Sequence, residues 1–325
     1  PILLKPSRLQ LLTHAWAETA PQSISPQPRK PAVTMAAVID ANTAWSPQMT
    51  YYLIQTVVGL GTIAASFWLP GLLIGAFVLS VLLPILSSGL DLFIWDMEPR
   101  SDEWIAKVFK WFAVTFLASL PALLIRVLPV GKRALQAFGV YTCIVVLINM
   151  LWTLYYSDTW IDKVNGAGAV LLCISRALQM YIAYSRADAF AEKSENGLIV
   201  YVAAISMPYV VCYMVWNTIF SAMEFGFLGA LHIFMCIVGM LAAHRAGGCQ
   251  RPIEHTFSYA RSTTLGTYTC LYSLCGMIDY FRDSPMDPAP PDQTLFLLYA
   301  AYTNLLAVCF VVAGNIRDAC KLWRS

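Results

Sequence analysis

Long uninterrupted runs of apolar residues constrain this chain more than any other feature of its sequence. The runs are about 18 to 24 residues long, the length of α-helix that crosses the roughly 30 Å hydrocarbon core of a membrane. Hydrophobic residues make up 58% of the 325 residues and charged residues only 12%, too few to cover a water-soluble fold of this size. The sequence therefore predicts an all-α, polytopic transmembrane helical bundle; a large soluble helical bundle is the alternative.

We predict nine membrane-spanning helices from these runs and the breaks between them. Because proline cannot continue a helix and glycine permits a turn, Pro70 and Gly71 divide the first long run into two spans. An alternative is eight spans, with 49–92 folded as one span plus a re-entrant segment. The predicted spans are 49–68, 71–92, 105–127, 134–156, 165–187, 198–220, 223–244, 262–281 and 293–316.

The chain before the first span has a different composition. Its first 34 residues are rich in Pro, Ser and Gln, and we expect 1–48 to form a disordered or targeting extension. Translation from Met35, with the preceding sequence lying upstream of the true start, is the alternative interpretation. The transmembrane domain is then 49–316, followed by a short cytosolic tail, 317–325.

Basic residues lie mostly on one side of the predicted membrane, which gives the bundle a direction. By the positive-inside rule the side with more Lys and Arg is cytosolic, so the C-terminus is predicted inside and Met35 outside. The acids gather on the opposite side. The eleven inner basic residues are Arg126, Lys132, Arg133, Arg186, Lys193, Arg245, Arg251, Arg261, Arg317, Lys321 and Arg324, against five on the outer side, Arg100, Lys107, Lys110, Lys163 and Arg282.

Several classes of function lack their usual signatures. The nine cysteines form no C-x-x-C pair and lie mostly in apolar runs, which is typical of buried packing residues. The chain has no H-E-x-x-H, G-x-S-x-G or P-loop motif. We therefore expect no metal, no cofactor and no nucleic-acid partner, and an enzyme is the less favoured reading.

Polar residues inside the predicted spans are the candidate site, because burying them in a membrane is costly without a partner. Most of them fall in the outer half of the bundle, where they would line an outward-facing polar cavity. Trp belts and helix caps explain part of the same pattern. Two ionisable residues lie deeper, Arg176 and His232. The candidate ligand-binding residues are Asp91, Asn149, Asp162, Asn165, Arg176, Trp216, Asn217, Glu224 and His232.

Short motifs on the outer side resemble an uncharacterised family. They are the segment from Trp160 through Asp162 and Asn165 to Gly166, the Trp216-Asn217 pair, and Arg261 ahead of Asp283-Ser284. In these the chain is similar, over most of 49–316, to the bacterial-type multi-pass family known as domain of unknown function fifty-six ninety-two. The resemblance implies a nine-helix architecture and a shared outer site, but no activity. The N-terminal extension and the loop 282–292 depart from the family.

Three functions remain open from the sequence. The first is an integral membrane protein, in contact with the lipid bilayer, that binds or transports a small polar or cationic solute. The second is a structural or accessory membrane subunit whose polar stripes serve only helix packing. The third is a membrane enzyme acting on a lipid, for which Asp162, Glu224 and Asp279 would have to supply the acids.

Overall fold

A computed structural model describes the chain over a set of separate ranges, and its helices and strands account for most of them. The described residues are 57, 60–61, 64–71, 73–75, 78, 119–154, 159–194, 197, 200–202, 204–225, 228–248, 250–264 and 291–324.

Six helices with defined ends and one two-stranded sheet make up the described fold. A 3₁₀-helix, Ile253–Thr256, leads into a further helical segment, 257–264. The strands are β1, Ala191–Lys193, and β2, Val200–Val202. The helices are α1, Leu120–Val127; α2, Lys132–Leu154; α3, Trp160–Ser185; α4, Met207–Phe225; α5, Leu228–Ala246; and α6, Pro291–Arg324.

Prolines and side-chain caps set several of these helix ends. Pro121 lies in the first described turn of α1, and Ser119 before it already has helical dihedral angles. The predicted end of the third span at 127 is confirmed, because α1 ends at Val127 and Leu128 is extended. α3 begins five residues before the predicted position, since Thr159 caps the earlier turn.

The prediction of a helix over 198–220 is wrong in its first third. Val200–Val202 is a buried strand, paired antiparallel with Ala191–Lys193, and the helix begins only at Met207. Pro208 has no N–H, and it favours the first turn of a helix over its interior. Ala204, between strand and helix, has a positive φ of 63°, which no helix accommodates. The described part of the fold is therefore mostly α-helical, as predicted, and contains one short β-hairpin.

The hairpin is fixed to α2 by one side chain and one close backbone approach. Gln136 on α2 donates from Nε2 to the Ala191 carbonyl at 2.9 Å, and its Oε1 accepts from the Phe190 N–H at 2.5 Å. Gly139, one turn further along, has no side chain in the way: an added Cβ would lie 2.8 Å from the Phe190 carbonyl carbon and oxygen. The missing Cβ therefore lets the strand lie directly on the helix.

A common core joins the helices around α4. Tyr209, Tyr213 and Trp216 of α4 are at most 2% exposed and pack against apolar residues of α2, α3, α5, α6 and the segment 257–264. α6 runs beside α3 and also contacts α4. α4 is consequently the central helix of the described bundle.

Two of the described helices are long and apolar enough to cross a membrane, judged by length and composition. They are Trp160–Ser185, with mean hydropathy 1.4, and Thr294–Arg324, with mean hydropathy 2.1. The apolar parts of the neighbouring helices, Met207–Phe220 and Cys236–Ala246, are shorter. These helices give support to membrane association, and the nine-span count stays a prediction.

Replacing Gly139 by alanine should weaken the attachment of the hairpin. Both Gly139→Ala and the control Gly168→Ala add a methyl group inside a helix, where alanine is favoured by about 1 kcal/mol. Only at Gly139 does the new Cβ meet backbone; at Gly168 nothing lies within 4 Å. We expect Gly139→Ala to lower the free energy of unfolding by about 1–3 kcal/mol, the usual cost of overpacking, and Gly168→Ala to lower it not at all. Thermal unfolding in detergent measures both; equal effects would contradict the docking geometry.

Candidate functional site

Five of the nine predicted site residues can be placed by their side chains. Asp91 lies outside the described residues. Asn149, Glu224 and His232 lie on α2, α4 and α5, but their side chains are outside what the structure describes. The five that can be placed are Asp162, Asn165, Arg176, Trp216 and Asn217.

Asn165 and Trp216 are brought together as predicted. Asn165, on the second turn of α3, donates from Nδ2 to the Trp216 carbonyl of α4 at 3.1 Å. Asn165 is only 4% exposed, and its Oδ1 is buried without a hydrogen-bond partner among the described residues. A buried polar atom without a partner costs about 1–3 kcal/mol. The site therefore holds one acceptor that no described residue satisfies.

Asn217, the next residue along α4, lies beside a buried arginine. Arg261 donates from Nη2 to Asn217 Oδ1 at 3.3 Å and from Nε to Tyr213 Oη at 3.1 Å. Its guanidinium also lies 5.9 Å from the centre of the Tyr213 ring, within the range of a cation–π contact. We name this group of residues the Asn165–Arg261 cluster. Its members are Asn165, Tyr213, Trp216, Asn217 and Arg261.

Arg261 corrects the sequence-based charge count. We counted it among the basic residues on the cytosolic side, but it is only 6% exposed and contacts two side chains on the buried face of α4. The 3₁₀-helix and the segment 257–264 start the helix earlier than the predicted span at 262, which carries Arg261 into the bundle. The number of basic residues on that side falls from eleven to ten, against five on the other side, so the predicted direction is unchanged.

An aromatic ladder runs along the same face of α4. Tyr209, Tyr213, Trp216 and Phe220 follow one another with ring centres 6.2, 5.4 and 6.0 Å apart, and the last two are stacked with planes 8° apart. Phe257 meets Tyr213 edge-on at 5.1 Å. Aromatic pairs at these distances contribute roughly 0.5–1.5 kcal/mol beyond area burial. The ladder therefore stiffens the helix that carries the cluster.

Amide side chains on α6 were missed by the sequence reasoning. Asn304 donates from Nδ2 to the Cys212 carbonyl of α4 at 3.1 Å, and Asn315 donates to Ser175 Oγ of α3 at 2.8 Å. Their spacing of eleven residues returns to nearly the same side of a helix at 100° per residue. That spacing was a usable signal, because two amides on one side of an apolar helix indicate a polar neighbour.

Arg176 does not belong to the Asn165–Arg261 cluster. It lies eleven residues further along α3, about 16 Å at 1.5 Å per residue, and it is 2% exposed. Its guanidinium donates to the Ala204 carbonyl, to Gln179 Oε1 at 3.3 Å and to Cys143 Sγ at 2.7 Å. The sequence places Arg176 deeper than the outer candidate residues, and in the structure its described partners lie away from them.

The side chain of Asp162 forms part of the N-terminal cap of α3. Its Oδ2 accepts from the Thr159 hydroxyl at 2.6 Å and from the Thr159 N–H at 3.1 Å, and the Thr159 oxygen accepts from the Asp162 N–H at 3.1 Å. This reciprocal capping box satisfies N–H groups that the first turn of a helix otherwise leaves free. The capping box therefore accounts for every hydrogen bond that the Asp162 side chain makes in the described structure.

A cavity among the described residues lies away from the predicted site. It is formed by α1, α2, β2 and the segment 257–264, and none of the nine predicted residues lines it. A water-sized molecule does not fit inside it. The described residues also contain no group of three His, Cys, Asp or Glu side chains that could hold a metal ion.

A charged contact joins the hairpin to the loop that follows α5. Arg251 forms an ion pair with Glu192 of β1 and donates from Nη2 to its Oε2 at 3.0 Å. Partly exposed pairs of this kind contribute at most about 1 kcal/mol. Nearby, burial lowers the pKa of His255, whose buried Nδ1 has no hydrogen-bond partner in the part of the chain that the structure describes. His255 is therefore held in its neutral form at pH 7.

The described fold and site define a mostly helical bundle with two helices able to cross a membrane and a buried polar cluster on its central helix. No protein-family model, no curated protein and no solved structure matches the chain. The family resemblance drawn from the outer motifs thus stays an expectation.

Disrupting the capping box should affect stability and show one shared interaction. Thr159→Ala and Asp162→Ala are each expected to lower the free energy of unfolding by about 1 kcal/mol, and the double variant by less than the sum. Lys163→Ala, at an exposed position in the same turn, is the control and should cost little. Thermal unfolding of the four variants measures this. If Asp162→Ala still lowers the free energy of unfolding by about 1 kcal/mol in the Thr159→Ala background, the carboxylate has another partner.

Proposed function

We propose that the chain is a multi-pass integral membrane protein that binds a small polar or cationic solute through the Asn165–Arg261 cluster. The proposed topology has nine spans, with the C-terminus in the cytosol and Met35 outside. It is supported by the apolar runs, the segregation of basic residues and the two long apolar helices. In that topology Asn165 lies near the outer end of α3, and transport of the solute across the membrane is the further step of the proposal.

The unsatisfied Oδ1 of Asn165 is the observation that carries the solute proposal. An amide oxygen accepts hydrogen bonds, so the complementary solute presents an N–H, an O–H or a cation. Binding such a solute would recover the free energy lost by leaving this buried acceptor unpaired. No other side-chain oxygen of the cluster is described as buried without a partner.

The aromatic rings beside this oxygen support the same class of solute. Trp216 accepts the Asn165 hydrogen bond at its carbonyl, and its ring is stacked on Phe220. The faces of Trp and Phe rings attract cations, with about 0.5–2 kcal/mol per contact. A solute that combines a cationic or donor group with a small apolar part would use both features.

A structural or accessory role is the second candidate, and a specific observation favours it. Trp216 is 1% exposed, and Asn165 Nδ2 and Asn217 Oδ1 are already bonded within the bundle. Interhelical hydrogen bonds of this kind stabilise membrane bundles by roughly 0.6 kcal/mol each without any ligand. In this role the cluster would serve as packing, and the bundle would have no affinity for a solute.

The two candidates are separated by a pair of matched asparagine variants. Asn165→Leu and Asn304→Leu each delete one buried amide that donates to a carbonyl of α4 at 3.1 Å. The purified chain in neutral-lipid nanodiscs is screened by thermal shift against ammonium compounds, polyols and alkali cations. We expect at least one compound to raise the melting temperature of the parent chain. Its affinity should be about tenfold weaker in Asn165→Leu, because one hydrogen bond is lost, and unchanged in Asn304→Leu.

Two results would count against solute binding. One is a panel in which no compound raises the melting temperature of the parent chain. The other is a hit whose affinity falls equally in both variants, since that would reflect general loosening of α4. Either result would favour the structural role, which predicts similar losses of stability in the two variants and no ligand effect.

A further inference from the structure

The guanidinium of Arg176 carries a positive charge that no carboxylate of the described residues neutralises. None of the described residues places a carboxylate within ion-pair distance of its guanidinium, whose hydrogen bonds go to a carbonyl, an amide and a thiol. Moving an arginine side chain out of water costs several kcal/mol unless it is paired. Neutral acceptors satisfy its N–H groups but leave its charge in place.

The start of α4 adds to this positive potential. α4 begins at Met207, next to Ser206, whose hydroxyl oxygen accepts from Gln179 Nε2 at 3.0 Å. Gln179 is in turn bonded to Arg176. The first turn of a helix carries about half a positive elementary charge from its free N–H groups. A guanidinium and a helix N-terminus therefore lie side by side, the arrangement that favours an anion.

Two hydroxyl groups in the same place have protons to donate. Within the described part of the chain, the Tyr209 hydroxyl donates only to the Met150 sulfur at 3.9 Å, a weak acceptor, although Tyr209 is 1% exposed. Among the described residues, the Ser206 hydroxyl accepts a bond but has no acceptor for its own proton. The Arg176 guanidinium lies 5.9 Å from the centre of the Tyr209 ring, so the donors belong to one group.

We propose that Arg176, Ser206 and Tyr209 form a binding site for an oxyanion, a phosphate or carboxylate group, at the end of α4 where the chain leaves the hairpin. The anion would take the place that the Ala204 carbonyl now occupies on Arg176. Ala204 has a positive φ of 63°, a conformation that costs an alanine about 1–2 kcal/mol, so release of this carbonyl is partly offset by relief of backbone strain. Ala204 and Ser206 are partly exposed, which leaves a route to the site.

This site is independent of the solute proposed above. Arg176 lies about 16 Å along α3 from Asn165, and neither the solute site nor its test involves the residues around Arg176. The oxyanion could be a free anion or the headgroup of a lipid, since both present the same chemistry to a guanidinium. The experiment separates these two sources.

The test measures anion-dependent stability of the full chain in phosphatidylcholine nanodiscs. Sodium phosphate and sodium acetate are titrated at constant ionic strength against sodium methanesulfonate, and a parallel arm adds phosphatidylglycerol to the discs. We expect a saturable rise in melting temperature with phosphate or acetate if the source is a free anion, and with phosphatidylglycerol if it is a lipid. Arg176→Gln should abolish the rise, and Arg176→Lys, which keeps the charge, should retain part of it.

Variants that remove a single hydroxyl group still test the proposal if Arg176→Gln fails to fold. Tyr209→Phe removes only one proton donor and should weaken anion affinity about fivefold to tenfold, the value of one hydrogen bond. Tyr184→Phe, which removes a phenol hydroxyl from an exposed position on α3, is the control and should leave anion affinity unchanged, as should Arg186→Gln at another exposed position. No saturable rise with any of the three anion sources, or an equal rise in Arg176→Gln or Tyr209→Phe and the parent chain, would overturn the proposal.

Discussion

The described bundle depends on the need to satisfy polar groups along the buried face of α4. Asn165 and Asn304 donate to two of its carbonyls from α3 and α6, and Arg261 bonds to Tyr213 and Asn217 on the same helix. In an apolar interior, the free energy lost by leaving a donor unpaired is much larger than the free energy gained by pairing it. These bonds therefore fix the rotation of α4 relative to its neighbours, and the aromatic ladder packs into the geometry they set.

Local signals along the chain predicted much of this arrangement. Apolar runs located most of the described helix ends to within about five residues. The exceptions are the start of α4, at 207 instead of 198, and the end of α6, at 324 instead of 316. Asn217, a polar residue predicted within a membrane span, is buried in the bundle with 5% exposure. Asp162 at the start of α3 could be interpreted equally as a cap or as a ligand, and only the position of Thr159 decides between them. The sequence thus predicts which residues are buried better than it predicts their partners.

The remainder depends on contacts between distant parts of the chain. The hairpin forms because Gln136 and Gly139 on α2 provide a surface for it, and no periodicity near Val200 reveals that surface. Arg261 lies directly before the predicted span 262–281, so a position at the membrane surface was the natural expectation. Its partners are more than forty residues away. Arg176 meets Cys143 and Ala204 in the same manner. Hydrophobic periodicity carries no information about such pairings.

The orientation of α3 across a membrane is the claim on which the outer position of Asn165 rests. In a cysteine-free background, single cysteines at Thr159 and Asp188 flank this helix, and an impermeant thiol reagent is added to sealed, cytosolic-side-out microsomes before and after permeabilisation. The account predicts that the cysteine at 188 reacts at once and the cysteine at 159 only after permeabilisation. Reaction of both before permeabilisation, or of 159 alone, would contradict it.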